Sequence, residues 1–519
     1  MLVDFSKILS ESHYQIVNIV QNFPFITIVL SLLVGIFCAA LKPKAAMRLC
    51  FLNFTVCFFM SLATLLYCIK AGDYYIYIMG RFPAPFGNEI RIGVLEALMA
   101  TAFSLVMTLS LMGGLKHIFH DVPHEKQEYY FLMMDLLFTS LLALIYTNDL
   151  FTAYVFVEIN TLTACAIVML KKSKETLVAT ARYLMMSLLG SGLIMIGISI
   201  LYDISGHLLM EDIYEAVQKL HTTGLYRLPL EVVICVFAIG LGIKSALYPF
   251  HSWLPDAHGT STSGSSAVLS GLVLKAYIIL LIKMIYRVFG PDVVLSSRVL
   301  NILFILGILA MTIGSIKAIN SRDLKRMIAY SSVAQIGYIY LGIGIGSTAG
   351  FAAACLQILV HAYTKPMLFN TAGAFMDEAG GSRKFKDLVG AARKNMWAGI
   401  GFAVGAFSMI GIPLFAGFVV KYNLATAALA LPGGKGRAIL ALIALVISTV
   451  LNAIYYIPAL MVLFKKTNDT KKITWFGKES DMPFIISNGV FIVCNFVLGI
   501  CSPLFVNLIN QGLGMFGMK

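Results

Sequence analysis

Six ionisable side chains stand in the middle of runs that are otherwise apolar. Glu158 lies in DLFTAYVFVEINTLTACAIVML and Lys244 near the end of EVVICVFAIGLGIKSALYPF. Lys275 lies in AVLSGLVLKAYIILLI, His361 and Lys365 in CLQILVHAYTKPMLFNTAG, and Lys421 in GIPLFAGFVVKYNLATAALAL. A charge at the bilayer centre costs about 2.5–3.5 kcal/mol on insertion scales, so such residues face a bundle interior and mark ion paths. One carboxylate, four amines and an imidazole share acid–base chemistry. Burial weakens an amine's hold on its proton and a nearby carboxylate restores it. A change in the Glu158–Lys244 separation would therefore load or unload a proton. His361 and Lys365 are four residues apart and share one helix face.

Each residue also has a reading without transport. Lys421 could snorkel from a helix end to the interface. Glu158 could form an ion pair that only holds two helices together. His361 could be a hydrogen-bonded interior histidine, and Lys365 could satisfy carbonyls freed by Pro366. Lys244 and Lys275 are too central to snorkel easily. Lys70, Lys283, Lys325 and Arg326 lie near the ends of apolar runs and read as interface anchors.

The elements that carry these residues are set by composition. The chain has 519 residues, 59% hydrophobic and 13% charged, with a mean hydropathy of +0.85; soluble domains carry about 25% charged residues. About fourteen runs suit a hydrocarbon core crossed by some 20 residues: 24–41, 46–69, 94–115, 131–146, 150–170, 177–202, 232–250, 267–286, 299–319, 327–345, 351–375, 398–422, 439–464 and 484–504. Alternating apolar strands are absent, which argues against a barrel. The expected fold is an all-α polytopic membrane protein of about 14 transmembrane helices. The first run has Lys7 before it and KPK after it, the reverse of a cleavable signal peptide, so it reads as a retained span.

The formal net charge is +13, and its distribution argues topology rather than nucleic-acid binding. Lys42, Lys44 and Arg48 follow segment one; Lys171, Lys172 and Lys174 follow segment five; Arg322, Lys325 and Arg326 follow segment nine. Arg383, Lys384, Lys386, Arg393 and Lys394 follow segment eleven, and Lys465, Lys466, Lys471, Lys472 and Lys478 follow segment thirteen. By parity these loops lie on one side; the other side holds Arg81, Arg91, Lys219 and Arg227 among its cations. The positive-inside rule then places both termini outside a cell (inner) membrane. The nine cysteines form no CxxC pair and read as small packing residues. No P-loop, dinucleotide fingerprint or metal-type histidine pairing occurs, so no cofactor or metal is expected.

Two prolines interrupt this pattern. Pro249 frees the carbonyl of Ser245 beside Lys244, and Pro413 frees that of Met409, eight residues before Lys421. Non-helical backbone is tolerated at membrane depth only where it is buried or lines a watery cavity. If segments four to eight and nine to thirteen are two five-helix units, each break falls in the fourth helix of its unit. That is the sequence pointer to an inverted repeat. The expected organisation is helices one to three in 1–128, a first repeat in 129–290, a second in 291–466 and a last helix in 467–519.

GIKSALYPFHSWLPDAH, SRDLKRMIAYSSVAQIGYIYLGI, HAYTKPMLFNTAG and SMIGIPLFAGFVVKYN, in that order, resemble the signatures of proton-conducting, antiporter-like membrane subunits. These occur in respiratory complex I, Mrp-type sodium/proton antiporters and membrane-bound hydrogenases. The resemblance covers segments three to thirteen. It implies fourteen core helices, two inverted five-helix repeats, broken helices seven and twelve, and a hydrated polar axis. By position, Glu158 resembles the family's segment-five glutamate, Lys244 its partner lysine, Lys275 the bridging lysine, His361 the polar position of segment eleven and Lys421 the terminal lysine. GTSTSGSSA at 259–267 departs from the family's PTPVSA-like stretch, and the chain lacks a long lateral helix, which points to the Mrp D-type subunit or its hydrogenase counterpart.

The leading expectation is a proton-translocating subunit of a larger complex, with no redox site of its own. A proton passes from the Glu158–Lys244 switch through Lys275, His361 and Lys365 to Lys421, while His251 and Asp256 shape an input cavity. Expected partners are further antiporter-like and small membrane subunits, a peripheral redox module, the lipid bilayer, and protons or Na⁺. Two alternatives stay open. One is sodium/proton exchange with Glu158, Asn160, Thr161 and Thr163 as oxygen ligands. The other is a structural membrane arm that moves no ion.

Overall fold

A computed structural model describes residues 18–82, 87–171, 173–431, 435–467, 473–477 and 481–516. The expectations on Lys7, Lys172, Lys471, Lys472 and Lys478 lie outside the described residues, as does the side chain of Arg81. Helix α1 (Phe23–Cys38) and α2 (Pro43–Ala71) lead to an antiparallel hairpin, β1 (Tyr75–Ile78) with β2 (Glu89–Ile92). Next come α3 (Val94–Asp121), α4 (Gln127–Tyr146), α5 (Leu150–Met169) and α6 (Lys174–Ser205). Helix α7 (Met210–Thr223) buries Met210, Ile213 and Val217 along one stripe, as a surface helix does.

The central part runs through α8 (Arg227–Lys244), α9 (Trp253–Thr260), α10 (Ser263–Phe289), α11 (Val299–Ile319), α12 (Leu324–Ile345) and α13 (Thr348–Glu378). Then follow α14 (Met396–Ile410), α15 (Ala416–Leu429), α16 (Lys435–Phe464), α17 (Met482–Ile500) and α18 (Ser502–Met515). Helix starts are marked by polar caps. Asp149 accepts from the Thr152 amide at α5, Ser173 and Thr176 cap each other at α6, and Asp323 accepts from the Arg326 amide at α12.

Among the described residues, eleven helices are long and apolar enough to cross a membrane, so the protein is a multi-pass helical membrane protein. Expected segments seven, eleven and twelve are the elements outside that set. Segments seven and twelve are interrupted; segment eleven is α13, which carries Gln357, His361, Lys365 and Asn370. The outer helices α1, α2, α6, α16 and α17 bury only about a third of their length, and lipid would lie against the rest. Helix α10 is wholly buried, and α3 and α12 nearly so. The helices bearing Lys275, His361 and Lys365 thus form the centre of the bundle, away from lipid.

The break in segment seven begins earlier than Pro249 implied. Helix α8 ends at Lys244 itself, Ala246 adopts a left-handed φ of 59°, and helix resumes at Trp253. The break in segment twelve lies between Ile410 and Ala416, with Gly411 at φ 88°. The hairpin β1–β2 was not foreseen.

Helices α6 and α8 touch backbone to backbone. A Cβ on Gly190 would stand 2.8 Å from the Gly240 carbonyl and 3.1 Å from Lys244 Cγ, whereas Gly192 faces open space. Gly190→Val is therefore expected to wedge the helices apart at a cost of about 1–3 kcal/mol and to lower the melting temperature of the detergent-solubilised protein. Gly192→Val is expected to leave it unchanged; equal melting of the two variants would refute the close contact.

Candidate functional site

Glu158 on α5 and Lys244 on α8 are brought together. Lys244 Nζ lies 3.7 Å from Glu158 Oε1 and donates to Thr161 Oγ1 at 2.7 Å and Ser187 Oγ at 3.2 Å. It also sits 5.5 Å from the centre of the Tyr277 ring. Lys244 is completely buried; the Glu158 side chain keeps 23% of its surface exposed, but the Oε1 that faces Lys244 is buried and has no hydrogen-bond partner among the described residues. The ammonium is thus held by hydroxyls as well as by charge.

Lys275, His361 and Lys365 form a second, fully buried group. Lys275 Nζ donates to the carbonyl of Ser270. That residue belongs to a π-turn, Leu269–Val273; such turns leave the ordinary helical ladder and are frequent at functional sites. Within the same turn Gly271 makes room for Pro366 of α13, whose Cγ would lie 2.6 Å from a Cβ there. Lys365 Nζ donates to the Ile328 carbonyl at 3.0 Å, to Ser331 Oγ and to Tyr456 Oη at 3.4 Å. It therefore serves carbonyls of α12 rather than those freed by Pro366. Neither ring nitrogen of His361 has a hydrogen-bond partner among the described residues, and the ring lies within electrostatic range of Lys275, Lys365 and His258.

Lys421 stands apart from both groups. It turns inward rather than snorkelling, and its Nζ donates to the carbonyls of Ile410 and Met409 and to Thr449 Oγ1 at 3.0 Å. The carbonyls at the α14–α15 break, among them that of Met409 which Pro413 was expected to free, thus have a cation as partner. The α8–α9 break is served differently. The Ile243 carbonyl accepts from the Ala246 amide and Trp253 Nε1, and Ser245 Oγ lies 2.7 Å from Tyr340 Oη.

Hydroxyls and amides extend between these groups. Tyr277 Oη donates to Asn160 Oδ1 at 3.2 Å and lies 3.4 Å from Thr161 Oγ1, two residues along α10 from Lys275. On the far side Ser331 and Tyr456 hydroxyls are 2.9 Å apart, Tyr455 packs on Tyr456, and Tyr455 Oη donates to Asn452 Oδ1 at 2.7 Å. Asn452 Nδ2 in turn donates to the Met409 carbonyl at 3.1 Å, which Lys421 approaches. Among the described residues these neutral groups connect Lys244 to Tyr277 and lead from Lys365 towards Lys421.

Asp256 lies between Arg182 (2.7 Å) and Arg326 (2.9 Å) and lines a cavity of about 1420 Å³. His251 Nε2 is 2.9 Å from Lys317 Nζ, and Lys317 lines the same cavity. Three of the five loops that parity assigned to one side, those after segments five, nine and eleven, meet here: Arg383 bonds Asp323 at 2.5 Å and Glu175 at 3.1 Å.

Sequence reasoning missed several buried groups. His258 is fully buried with both ring nitrogens unpartnered among the described residues, and lies within range of Lys275, Lys325 and Lys365. Lys283 and Lys325 are not interface anchors. Both are buried; Lys283 Nζ donates to the Leu144 and Thr147 carbonyls and Lys325 Nζ to the Ser261 carbonyl at 2.6 Å. Lys70 and Arg326 do reach the surface, Arg326 in its pair with Asp256. Asp135 in FLMMDLLFTSLLALIY is also buried and accepts from Asn53 Nδ2 at 2.8 Å and more distantly from Cys38. Its place inside an apolar run was the available signal. For His258 the only signal was its place in WLPDAH. Most cysteines are buried and all are free, as packing residues should be.

Comparison with known proteins adds an independent line. The family "NADH:quinone oxidoreductase/Mrp antiporter, TM" matches residues 147–452. The N subunit of the NADH-quinone oxidoreductase of Desulforudis audaxviator is 33% identical over 389 residues, 74% of each chain. The D-type subunit of the Na(+)/H(+) antiporter of Alkalihalophilus pseudofirmus is 28% identical over 351 residues, 67% of this chain and 69% of that one. A chain of the membrane-bound sulfane sulfur reductase, an archaeal respiratory membrane complex, superposes with a TM-score of 0.84 at 22% identity, covering 95% of this chain and 97% of the other. A chain of the Mrp complex from Dietzia sp. gives 0.82 at 20% identity, covering 97% and 98%. The two superpositions establish likeness of fold.

Proposed function

Because the chain belongs to the NADH:quinone oxidoreductase/Mrp antiporter membrane family, we propose that it translocates protons as an antiporter-like subunit of a multisubunit ion-pumping membrane complex. The observation that carries this reading is the Lys244 ammonium, buried and shared between the Glu158 carboxylate and two hydroxyls. A small displacement of α5 against α8 changes how firmly that proton is held. Released, it moves towards Lys275, then to His361 and Lys365 with His258 beside them, and leaves through Lys421. The hydroxyls of Tyr277 beside Lys244 and of Ser331 and Tyr456 beside Lys365 would support hydration along the way. His251 and Asp256 shape the intake side.

The same reading places fourteen spans in two inverted five-helix repeats, one break in each, with both termini outside a cell (inner) membrane. The partners are further antiporter-like and small membrane subunits, and the driving unit is a peripheral redox module or an ion gradient. The name of the Alkalihalophilus relative favours a second reading, sodium/proton exchange. The local chemistry counts against α5 as a sodium site. Thr161 already accepts from Lys244, Asn160 accepts from Tyr277, and Thr163 donates to backbone carbonyls of its own helix. A structural arm that moves no ion would hold these buried amines at a cost and to no purpose.

Lys365→Met tests the path. Methionine keeps the length and loses the proton. Ile328 O still accepts from Ser331 and Ser332, so the fold is expected to survive. Proton translocation by the assembled complex, read from dye quenching in inverted vesicles, is expected to fall by about a hundredfold, within the range for a positioned proton-transfer group. Undiminished translocation would remove Lys365 from the path.

A further inference from the structure

The cavity of about 1420 Å³ beside Asp256 is larger than the ~300–1,000 Å³ typical of small-molecule pockets. It opens where the start of α6, α9, the end of α11, the start of α12 and the loop after α13 converge. Eight lysines and arginines line it against three carboxylates. The carboxylates are taken: Asp256 by Arg182 and Arg326, and Asp323 and Glu175 by Arg383. Lys174, Arg322, Lys384 and Lys386 have no carboxylate within ion-pair distance among the described residues, so the cavity carries an unbalanced positive charge that asks for an anion.

The walls say which kind of anion. Helices α6 and α11 both pack on α8, the first half of the broken helix. On the sides they turn away from the bundle, Leu177, Val178 and Met185 of α6 and Ile316 and Ile319 of α11 are exposed. These apolar residues begin within the first or last turns of helices whose ends carry the cations. A basic recess thus sits directly above an apolar surface. We propose that this cleft holds the headgroup of an anionic phospholipid, its phosphate on Arg322, Lys384 and Lys386 and its acyl chains along α6 and α11. Guanidinium matches phosphate oxygens bidentately and ammonium matches them as a point charge. Basic pockets between membrane helices bind such headgroups, and juxtamembrane cations contribute additively to it. A free phosphate would satisfy the cations but leave the apolar walls unused. An acidic partner chain would use the cations without acyl chains.

The test uses the assembled complex with a photoreactive benzophenone residue in place of Val178. It is reconstituted into vesicles of phosphatidylcholine alone or with one-fifth phosphatidylglycerol. Ultraviolet crosslinking to phosphatidylglycerol, strongly over its share of the vesicle, is expected. Crosslinking should fall about a hundredfold in the Arg322→Gln/Lys384→Gln/Lys386→Gln variant and persist in Lys384→Arg/Lys386→Arg. Native gels confirm that each variant assembles. Labelling in proportion to bulk composition, or unchanged by the triple substitution, would overturn the proposal. So would competition by millimolar inorganic phosphate alone, which would indicate a free-anion site, or crosslinking to an acidic protein subunit instead of lipid.

Discussion

Lys244→Ala is expected to reduce proton translocation by the assembled complex to background while leaving the complex intact. The side chain is fully buried, and its removal leaves Glu158 Oε1, also buried, without its counter-ion. The carboxylate can take up a proton instead, which removes the bare charge. Thr161 and Ser187 lie 3.3 Å apart and can bond each other once the ammonium is gone. What remains is a cavity of about four methylenes, costing ~2–4 kcal/mol by analogy with large-to-small core changes, which a large bundle tolerates. The proton, by contrast, has no substitute acceptor on α8, because the other buried polar group at this end of the helix, Ser245, is bonded to Tyr340. The measurement is acidification of inverted vesicles alongside a native gel for assembly. Full pumping by an assembled Lys244→Ala complex would remove Lys244 from the mechanism.

Glu158→Gln is expected to slow proton translocation about tenfold or more and to leave Lys244 in place. The ammonium retains two hydroxyl acceptors at 2.7 and 3.2 Å. The loss is electrostatic: at an effective dielectric near 20, opposite charges ~4 Å apart attract by about 4 kcal/mol, and partial exposure of Glu158 reduces that figure. An effect of this size is enough to change which state of Lys244 is favoured. Measuring sodium and proton movement in the same vesicles separates the two transport readings. If both ions respond alike to Glu158→Gln and Lys244→Ala, the pair acts as one switch. If sodium movement is lost in Glu158→Gln but kept in the lysine variants, Glu158 is a cation ligand and the proton reading of α5 fails.

Much of this site was legible before any fold was known. An ionisable residue within an apolar run is conspicuous because the cost of burying charge belongs to the segment itself. Glu158, Lys244, Lys275, His361, Lys365 and Lys421 were all found that way, and Asp135 was available by the same rule and overlooked. Pro413 likewise pointed to the carbonyl that Lys421 approaches. Lys283 and Lys325 were misread for a related reason. Nearness to the end of a run says how far a side chain lies along its helix, not whether another helix covers it.

The amino-acid sequence by itself settled that this chain crosses a membrane many times, which two segments are interrupted, and that six ionisable groups stand inside apolar runs. Those are properties of local hydropathy, proline and spacing. Only the tertiary structure decided what those groups touch. Thr161 and Ser187 reach Lys244 across 83 and 57 residues, and Tyr456 reaches Ser331 across 125. The cationic cleft assembles from four separate stretches, 174–182, 256–260, 317–330 and 383–386. Serines, threonines and tyrosines are common in membrane helices and carry no charge to betray them, so their roles follow from which helices pack together.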